Sequence, residues 1–135
     1  MTEITDEIKE VAGKAKIWAV ATVSKDGIPN VVPRAFGKVL SEDEILLMSV
    51  FSKKTEENLK ANPDKVAVSI WDYDALKGYQ FKGEARIETS GKVFDEGVRW
   101  VKSMMPQMSP KGAVIVKVKS IYITSPGPDA GKELS

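Results

Sequence analysis

The sequence contains no cysteine and no histidine, and these two absences narrow its chemistry before any motif is considered. Without cysteine the chain cannot form disulfides, use a catalytic thiolate or ligate an iron–sulfur cluster. Without histidine it lacks the commonest general base and the usual protein ligand of zinc and haem. Hydrolases of the Ser-His-Asp type and cysteine proteases are therefore excluded, and we predict no metal site. If the chain is an enzyme, we expect a bound cofactor to supply its chemistry.

A strong net charge and long hydrophobic runs are also missing. Twenty basic and nineteen acidic residues leave a formal net charge of +1, so no overall field favours nucleic acid or an anionic membrane. The N-terminal segment carries acidic residues and no apolar run long enough for a signal peptide or a membrane span. We therefore expect a cytoplasmic protein with neither nucleic acid nor a membrane as its partner.

Helical periodicity occurs in three places, and β-rich runs fill most of the remaining chain. Apolar spacing predicts one helix over residues 3–15 and another over 92–105, and a short helix follows Ser52 and stops at Asn62-Pro63. The β-rich runs predict six strands, over residues 17–23, 28–40, 45–51, 66–71, 79–89 and 113–124. The first three strands are expected to form a meander, and the proline pair in the second strand indicates an edge or an interruption near Arg34.

The order of these elements predicts the fold class and the domain organisation. Because no βαβ alternation runs through the chain, we expect a mainly β, mostly antiparallel six-stranded barrel with peripheral helices. The last residues contain two prolines and two glycines that interrupt regular structure. One domain over residues 1–125 with a C-terminal tail over 126–135 is the simplest division.

The segment from Ser49 to Pro63 carries the clearest functional signal. Lys53, Lys54 and Thr55 occupy the first turn of the short helix, where backbone N–H groups already create a positive end. Cations are disfavoured there unless an anion is bound, and a phosphate matches N–H donors, a hydroxyl and an ammonium. The alternative is a solvated basic turn on an ordinary surface helix.

Arg34 supports the phosphate interpretation. It lies in the second strand, and strand adjacency is expected to bring it near the start of the helix. A guanidinium is a planar, permanently charged fork that suits a phosphate monoester. The alternative for Arg34 is a surface side chain whose aliphatic part lies along the sheet.

Three runs of the sequence resemble a known protein family. The runs ATVSKDGIPNVVPRAFGKV, LLMSVFSKKTEENLKANPDKVAVSIW and YQFKGEARIE are similar to the FMN-binding split barrels related to pyridoxamine 5′-phosphate oxidase. The resemblance covers residues 17–124 and implies an antiparallel split β-barrel. It also implies a homodimer with FMN bound at the interface.

The resemblance assigns cofactor-binding roles to three groups of residues. It places the phosphate on Lys53, Lys54 and Thr55, with Arg34 beside them. It places the flavin ring along Ala35 and Phe36 of the second strand and along Ser49, Val50 and Phe51 at the end of the third. Gln80 is a further polar candidate, and Trp71 or Tyr79 could cover the flavin of the partner. The two phenylalanines also fit plain core packing.

The chain departs from the family in ways that limit the functional prediction. True pyridoxamine phosphate oxidases carry a C-terminal substrate segment with arginine and histidine, whereas this chain has no histidine and ends in GPDAGKELS. We therefore do not expect oxidation of pyridoxamine phosphate. The family includes flavin reductases, deazaflavin-dependent reductases, haem-handling members and electron carriers. An FMN-dependent oxidoreductase of unknown substrate is the main prediction, and a non-catalytic flavin carrier or electron-transfer protein is the alternative; no catalytic residue is assigned.

Overall fold

The computed structural model describes residues 3–134. Its helices are α1 (Asp6–Lys14), α2 (Lys53–Ala61) and α3 (Lys92–Met104). Its strands are β1 (Trp18–Val23), β2 (Pro29–Arg34), β3 (Gly37–Val39), β4 (Glu44–Ser49), β5 (Val66–Asp72), β6 (Lys77–Glu88), β7 (Gly112–Ile123) and β8 (Glu133–Leu134). None of the helices within residues 3–134 is long and apolar enough to cross a membrane. The predicted mainly β class with three helices is confirmed.

All strands belong to one curled antiparallel sheet. The strand order is β2-β1-β5-β6-β7-β4-β3, and β8 adds to β7 beside this path. Although β2 and β3 are consecutive in the chain, they form the two ends of the order, as in a barrel that is open along one seam. The split-barrel prediction is therefore confirmed, but the predicted count of six strands is wrong because the path has seven and β8 is additional.

The predicted second strand over residues 28–40 is the main correction to the fold. It is two strands, because the chain bends at Ala35 and Phe36 between β2 and β3. Both pairings of the predicted meander occur, because β2 pairs with β1 and β3 pairs with β4, but the bend divides the second strand between them, so the meander is not continuous. A strand has only two hydrogen-bonding sides, and β4 uses one for β3 and the other for β7, so β2 pairs only with β1 in the described chain. The interruption expected near Arg34 is confirmed.

Two hydrophobic clusters hold the sheet and the helices together. The first fills the barrel and includes the buried face of α1, with Trp18, Val20, Val68, Ile70 and Phe81 among its members. The second lies on the outer side of β4 and β7, where α3 covers Leu46, Met48, Ala113 and Ile115. Because β4 is covered on both faces, its residues are buried in sequence and do not alternate between buried and exposed.

A register shift marks the middle of the long β6–β7 pair. It occurs between Lys82 and Gly83, where β6 passes close to the backbone of β7. A Cβ atom added at Gly83 would overlap the carbonyl oxygen of Lys117 and lie 2.9 Å from its carbon. Glycine is therefore required here by lack of space rather than by an unusual backbone angle.

The C-terminal segment is docked onto the barrel. In β8, Glu133 pairs with Tyr122 and Leu134 pairs with Ile121, so the chain returns along β7 after its turns. The division into a domain over 1–125 and a tail over 126–135 stays a prediction, and its outermost residues 1, 2 and 135 lie outside the described residues.

Candidate functional site

Helix α2 is fixed against the barrel by two asparagine side chains. The buried Asn58 donates from Nδ2 to Thr22 Oγ1 of β1 at 3.0 Å. Asn62 donates from Nδ2 to the carbonyl oxygens of Val23 and Ser24, at 3.1 and 2.9 Å, at the end of β1. Because these bonds bind successive turns of α2 to β1, the first turn of the helix has a fixed place beside the sheet.

The structure brings Arg34 and Thr55 together. Arg34 donates from Nη2 to Thr55 Oγ1 at 3.2 Å and from Nη1 to the carbonyl oxygen of Pro33 at 3.2 Å. Thr55 is buried and Arg34 is half-buried. Burial lowers the pKa of the Arg34 guanidinium, and the nearby Glu56 carboxylate acts in the opposite direction. Two segments far apart in sequence thus place a partly desolvated cation at the start of α2.

The N-terminus of α2 has no side-chain cap. Ser52 occupies the N-cap position, but its hydroxyl makes no capping hydrogen bond. The Ser52 backbone is not in the extended conformation that usually aims a cap hydroxyl at the first turn, with φ −133° and ψ 39°. Lys53 and Lys54 are exposed at this end. The first turn therefore retains donors that an external anion could accept from.

A carboxylate, Glu56, lies close to the Arg34 guanidinium, and the sequence analysis did not select it. Its carboxylate accepts a hydrogen bond from Ser49 Oγ at 3.1 Å, so the Ser49 hydroxyl is already engaged. Glu56 lies in the first turn of α2, where a negative charge stabilises the helix. This position was the feature of the sequence that could have identified it. We call Arg34, Lys53, Lys54, Thr55 and Glu56 the cation cluster, since its three positive groups outnumber its one carboxylate.

The other residues predicted to bind the cofactor lie in the β4–α2 connection, in the β2–β3 link and in β6. Val50 is half-buried and Phe51 is 85% exposed in the connection from β4 to α2. Phe36 is buried against α3 and Ala35 is exposed in the link between β2 and β3. Gln80 is in β6, which β1 and β5 separate from β2, so this chain does not bring it to the cluster.

A cavity of about 640 Å³ lies beside the β2–β3 link. Ala35 and Phe36 line it, together with residues of α1, β3 and α3 that sequence reasoning did not select. The most prominent of these are Lys38 and Trp100, whose ammonium and ring lie 4.6 Å apart. No local sequence pattern predicts Lys38 and Trp100 as site residues, because the cavity forms only where three segments that are distant in the chain meet.

Comparison with known proteins establishes the family. The family model described as pyridoxamine 5′-phosphate oxidase matches residues 4–134. The chain belongs to this family. An uncharacterized protein of Methanocaldococcus jannaschii is 38% identical over 119 residues, which are 87% of this chain and 78% of that relative. The family resemblance seen in the sequence is thereby confirmed.

Two solved structures are similar to this fold. HupZ from Group A Streptococcus superposes with a TM-score of 0.82 at 28% identity and covers 95% of this chain and 99% of its own. An FMN-binding protein from Syntrophomonas wolfei superposes with a TM-score of 0.75 at 19% identity, covering 88% of this chain and 87% of that one. At that second level of identity the likeness concerns the fold alone.

Proposed function

We propose that the chain is an FMN-binding flavoprotein that acts as an oxidoreductase on a small molecule. The contact between Arg34 and Thr55 at the uncapped start of α2 carries this proposal. It gathers a guanidinium, a hydroxyl and free backbone donors, which are the groups that a phosphate monoester needs. The membership of the pyridoxamine 5′-phosphate oxidase family and the fold shared with an FMN-binding protein support the choice of cofactor.

The residues present fit the phosphate of FMN. Arg34 and the first-turn N–H groups would hold the phosphate, and Lys53 and Lys54 would balance its remaining charge. Glu56 does not cancel this preference, because it is the one carboxylate of the cluster against three cations, and it already accepts a hydrogen bond from Ser49. The chain segments at Ala35–Phe36 and Ser49–Phe51 would contact the flavin ring.

Binding of FMN in preference to riboflavin is the expected result that tests the cofactor. Both ligands share the ring, so the difference reports on the phosphate alone. We expect FMN to bind at least about 100-fold more tightly, since several charge-assisted hydrogen bonds are lost with riboflavin. Calorimetric titration of the flavin-free protein measures both constants. Equal affinities would contradict the proposal, as would a purified protein whose visible spectrum is that of haem or a deazaflavin.

The cavity favours an enzyme over a flavin carrier. A bound flavin supplies electron transfer, and a catalytic flavoprotein needs space for a substrate beside the ring, which a carrier does not. The cavity begins at Ala35 and Phe36 and provides such a space. We therefore expect NADH or NADPH to bleach the flavin absorbance under anaerobic conditions, as dithionite does. Reduction by dithionite alone would exclude a nicotinamide reductase and favour the carrier.

We also propose a homodimer as the working form. The outer face of β2, β1 and β5 carries small and apolar residues: Val31 pairs with Ala21 and Ala21 with Ala67 across the strands. Val31 is 67% exposed and Trp71, on the same face of β5, is 43% exposed. An open apolar sheet face of this kind is typical of an interface between copies. Light scattering at micromolar concentration is expected to give twice the chain mass, and a flavin-bound monomer would contradict the proposal.

A further inference from the structure

The cavity beside the β2–β3 link has walls of a distinct composition. Its sides are the C-terminal half of α1, strand β3 and the C-terminal end of α3. Its volume of about 640 Å³ is within the usual range for small-molecule pockets, roughly 300–1,000 Å³. The feature is therefore large enough for a ligand of its own.

The charged residues that line the cavity are all positive. They are Lys9, Lys16 and Lys38, and no aspartate or glutamate is among the lining residues. This bias is local, because the whole chain has nearly equal numbers of basic and acidic residues. Lys9 lies 4.0 Å from Asp6 at the exposed side of α1, a separation that leaves the ammonium available. An anionic group would be attracted to this rim.

The remaining lining is apolar and contains an ordered aromatic pair. Phe36 and Trp100 meet edge to face, with ring centroids 5.8 Å apart and planes at 87°. The Lys38 ammonium lies over the Trp100 ring, 4.6 Å from its centroid. Met104 and Met105 complete this side, and Met104 is 63% exposed. Flat rings and thioethers favour a flat apolar ligand body, and the lysine above the ring favours an acidic group on it.

The cavity is separate from the cation cluster. Of the residues that line it, none belongs to the β4–α2 connection or to α2. Ala35 is the point at which the two places approach, since it follows Arg34 directly and also lines the cavity. The chain thus presents two cationic sites, one made of a guanidinium and a helix end and the other of lysines around an aromatic floor.

We propose that this cavity binds a small anion with a flat apolar body, of the class of aromatic carboxylates. The acidic group lies at the rim formed by Lys9, Lys16 and Lys38, and the ring packs on Trp100 and the methionines. The proposal rests on the proposed function, because this cavity is the substrate space named there, and titration of the chain without added flavin tests the cavity apart from the cofactor.

Titration of the purified full chain with 2-naphthoate and 2-naphthamide tests the proposal. The two compounds share a ring system and differ in charge, and calorimetry measures both affinities. We expect 2-naphthoate to bind about tenfold more tightly than the amide. The double variant Lys16→Gln/Lys38→Gln is expected to remove that difference, whereas the control Lys25→Gln/Lys65→Gln, which changes two exposed lysines outside the cavity, preserves it. Trp100→Leu is expected to weaken both compounds, with circular dichroism confirming that each variant is folded.

Several results would overturn the proposal. Equal affinity for the acid and the amide would remove the role of the lysines, and so would an unchanged preference in the double variant. Displacement of 2-naphthoate by FMN, with loss of FMN affinity in the same variant, would make the cavity part of a single flavin site. If neither compound binds and Met104→Lys converts a dimer to a monomer, the cavity is instead covered by a second copy.

Discussion

Replacing Gly83 by alanine is expected to lower the free energy of unfolding by about 3 kcal/mol or more. The added methyl group would overlap the carbonyl oxygen of Lys117, which belongs to the backbone of β7 and cannot rotate away. Relief would require β6 and β7 to separate at their register shift, where their hydrogen bonds hold the centre of the sheet. Urea denaturation followed by circular dichroism measures the change.

Gly13→Ala is the matched control for this prediction. It makes the same chemical change in α1, where an added Cβ meets no atom within 4 Å. Because alanine favours helix over glycine, we expect this variant to gain about 0.5–1 kcal/mol. A Gly83→Ala protein that loses less than about 1 kcal/mol would show that β6 can move away from β7 at little cost.

Replacing Arg34 by glutamine is expected to weaken FMN binding by about 10- to 100-fold, equivalent to roughly 1.5–3 kcal/mol. The variant retains a hydrogen-bonding side chain but loses the charge and the fork beside Thr55. Riboflavin affinity is expected to stay unchanged, since riboflavin has no phosphate to lose a contact. Arg34→Lys restores the charge without the planar geometry and is expected to bind FMN with intermediate affinity. Fluorescence titration of the flavin gives all of these constants.

Arg99→Gln provides the control for the Arg34 variants. It removes an arginine charge from an exposed position of α3, far along the chain from the cation cluster. We expect its FMN affinity to match that of the unchanged protein. If Arg99→Gln weakens FMN as much as Arg34→Gln does, the effect is one of overall charge, and the phosphate does not bind at Arg34.

The sequence predicted elements better than it predicted pairing. Periodicity located the helices and strands, and prolines in the second strand indicated its interruption. Neighbouring strands pair as the meander predicts, β1 with β2 and β3 with β4, but β4 also pairs with β7, more than sixty residues later. Such pairings depend on how the whole sheet curls, and no local residue pattern encodes that curvature.

The site was predictable where one short segment creates it and unpredictable where packing does. Lys53, Lys54 and Thr55 are adjacent in the chain. Arg34 lies beside Thr55 as predicted, because β2 pairs with β1 and α2 is also bound to β1. Glu56 was missed because its contact with Ser49 depends on how the β4–α2 connection folds, and no residue pattern indicates that contact. The cavity at Trp100 was missed because its walls come from α1, β3 and α3.

The open seam of the barrel has a consequence for aggregation. Both terminal strands of the sheet expose backbone edges, and an exposed edge can recruit a foreign strand and start amyloid-like growth. Here Pro29 and Pro33 lie in β2 and supply no N–H donors, while β3 is only three residues long. Neither edge is a good template for strand addition, so the seam can stay open without making the folded protein prone to fibril formation.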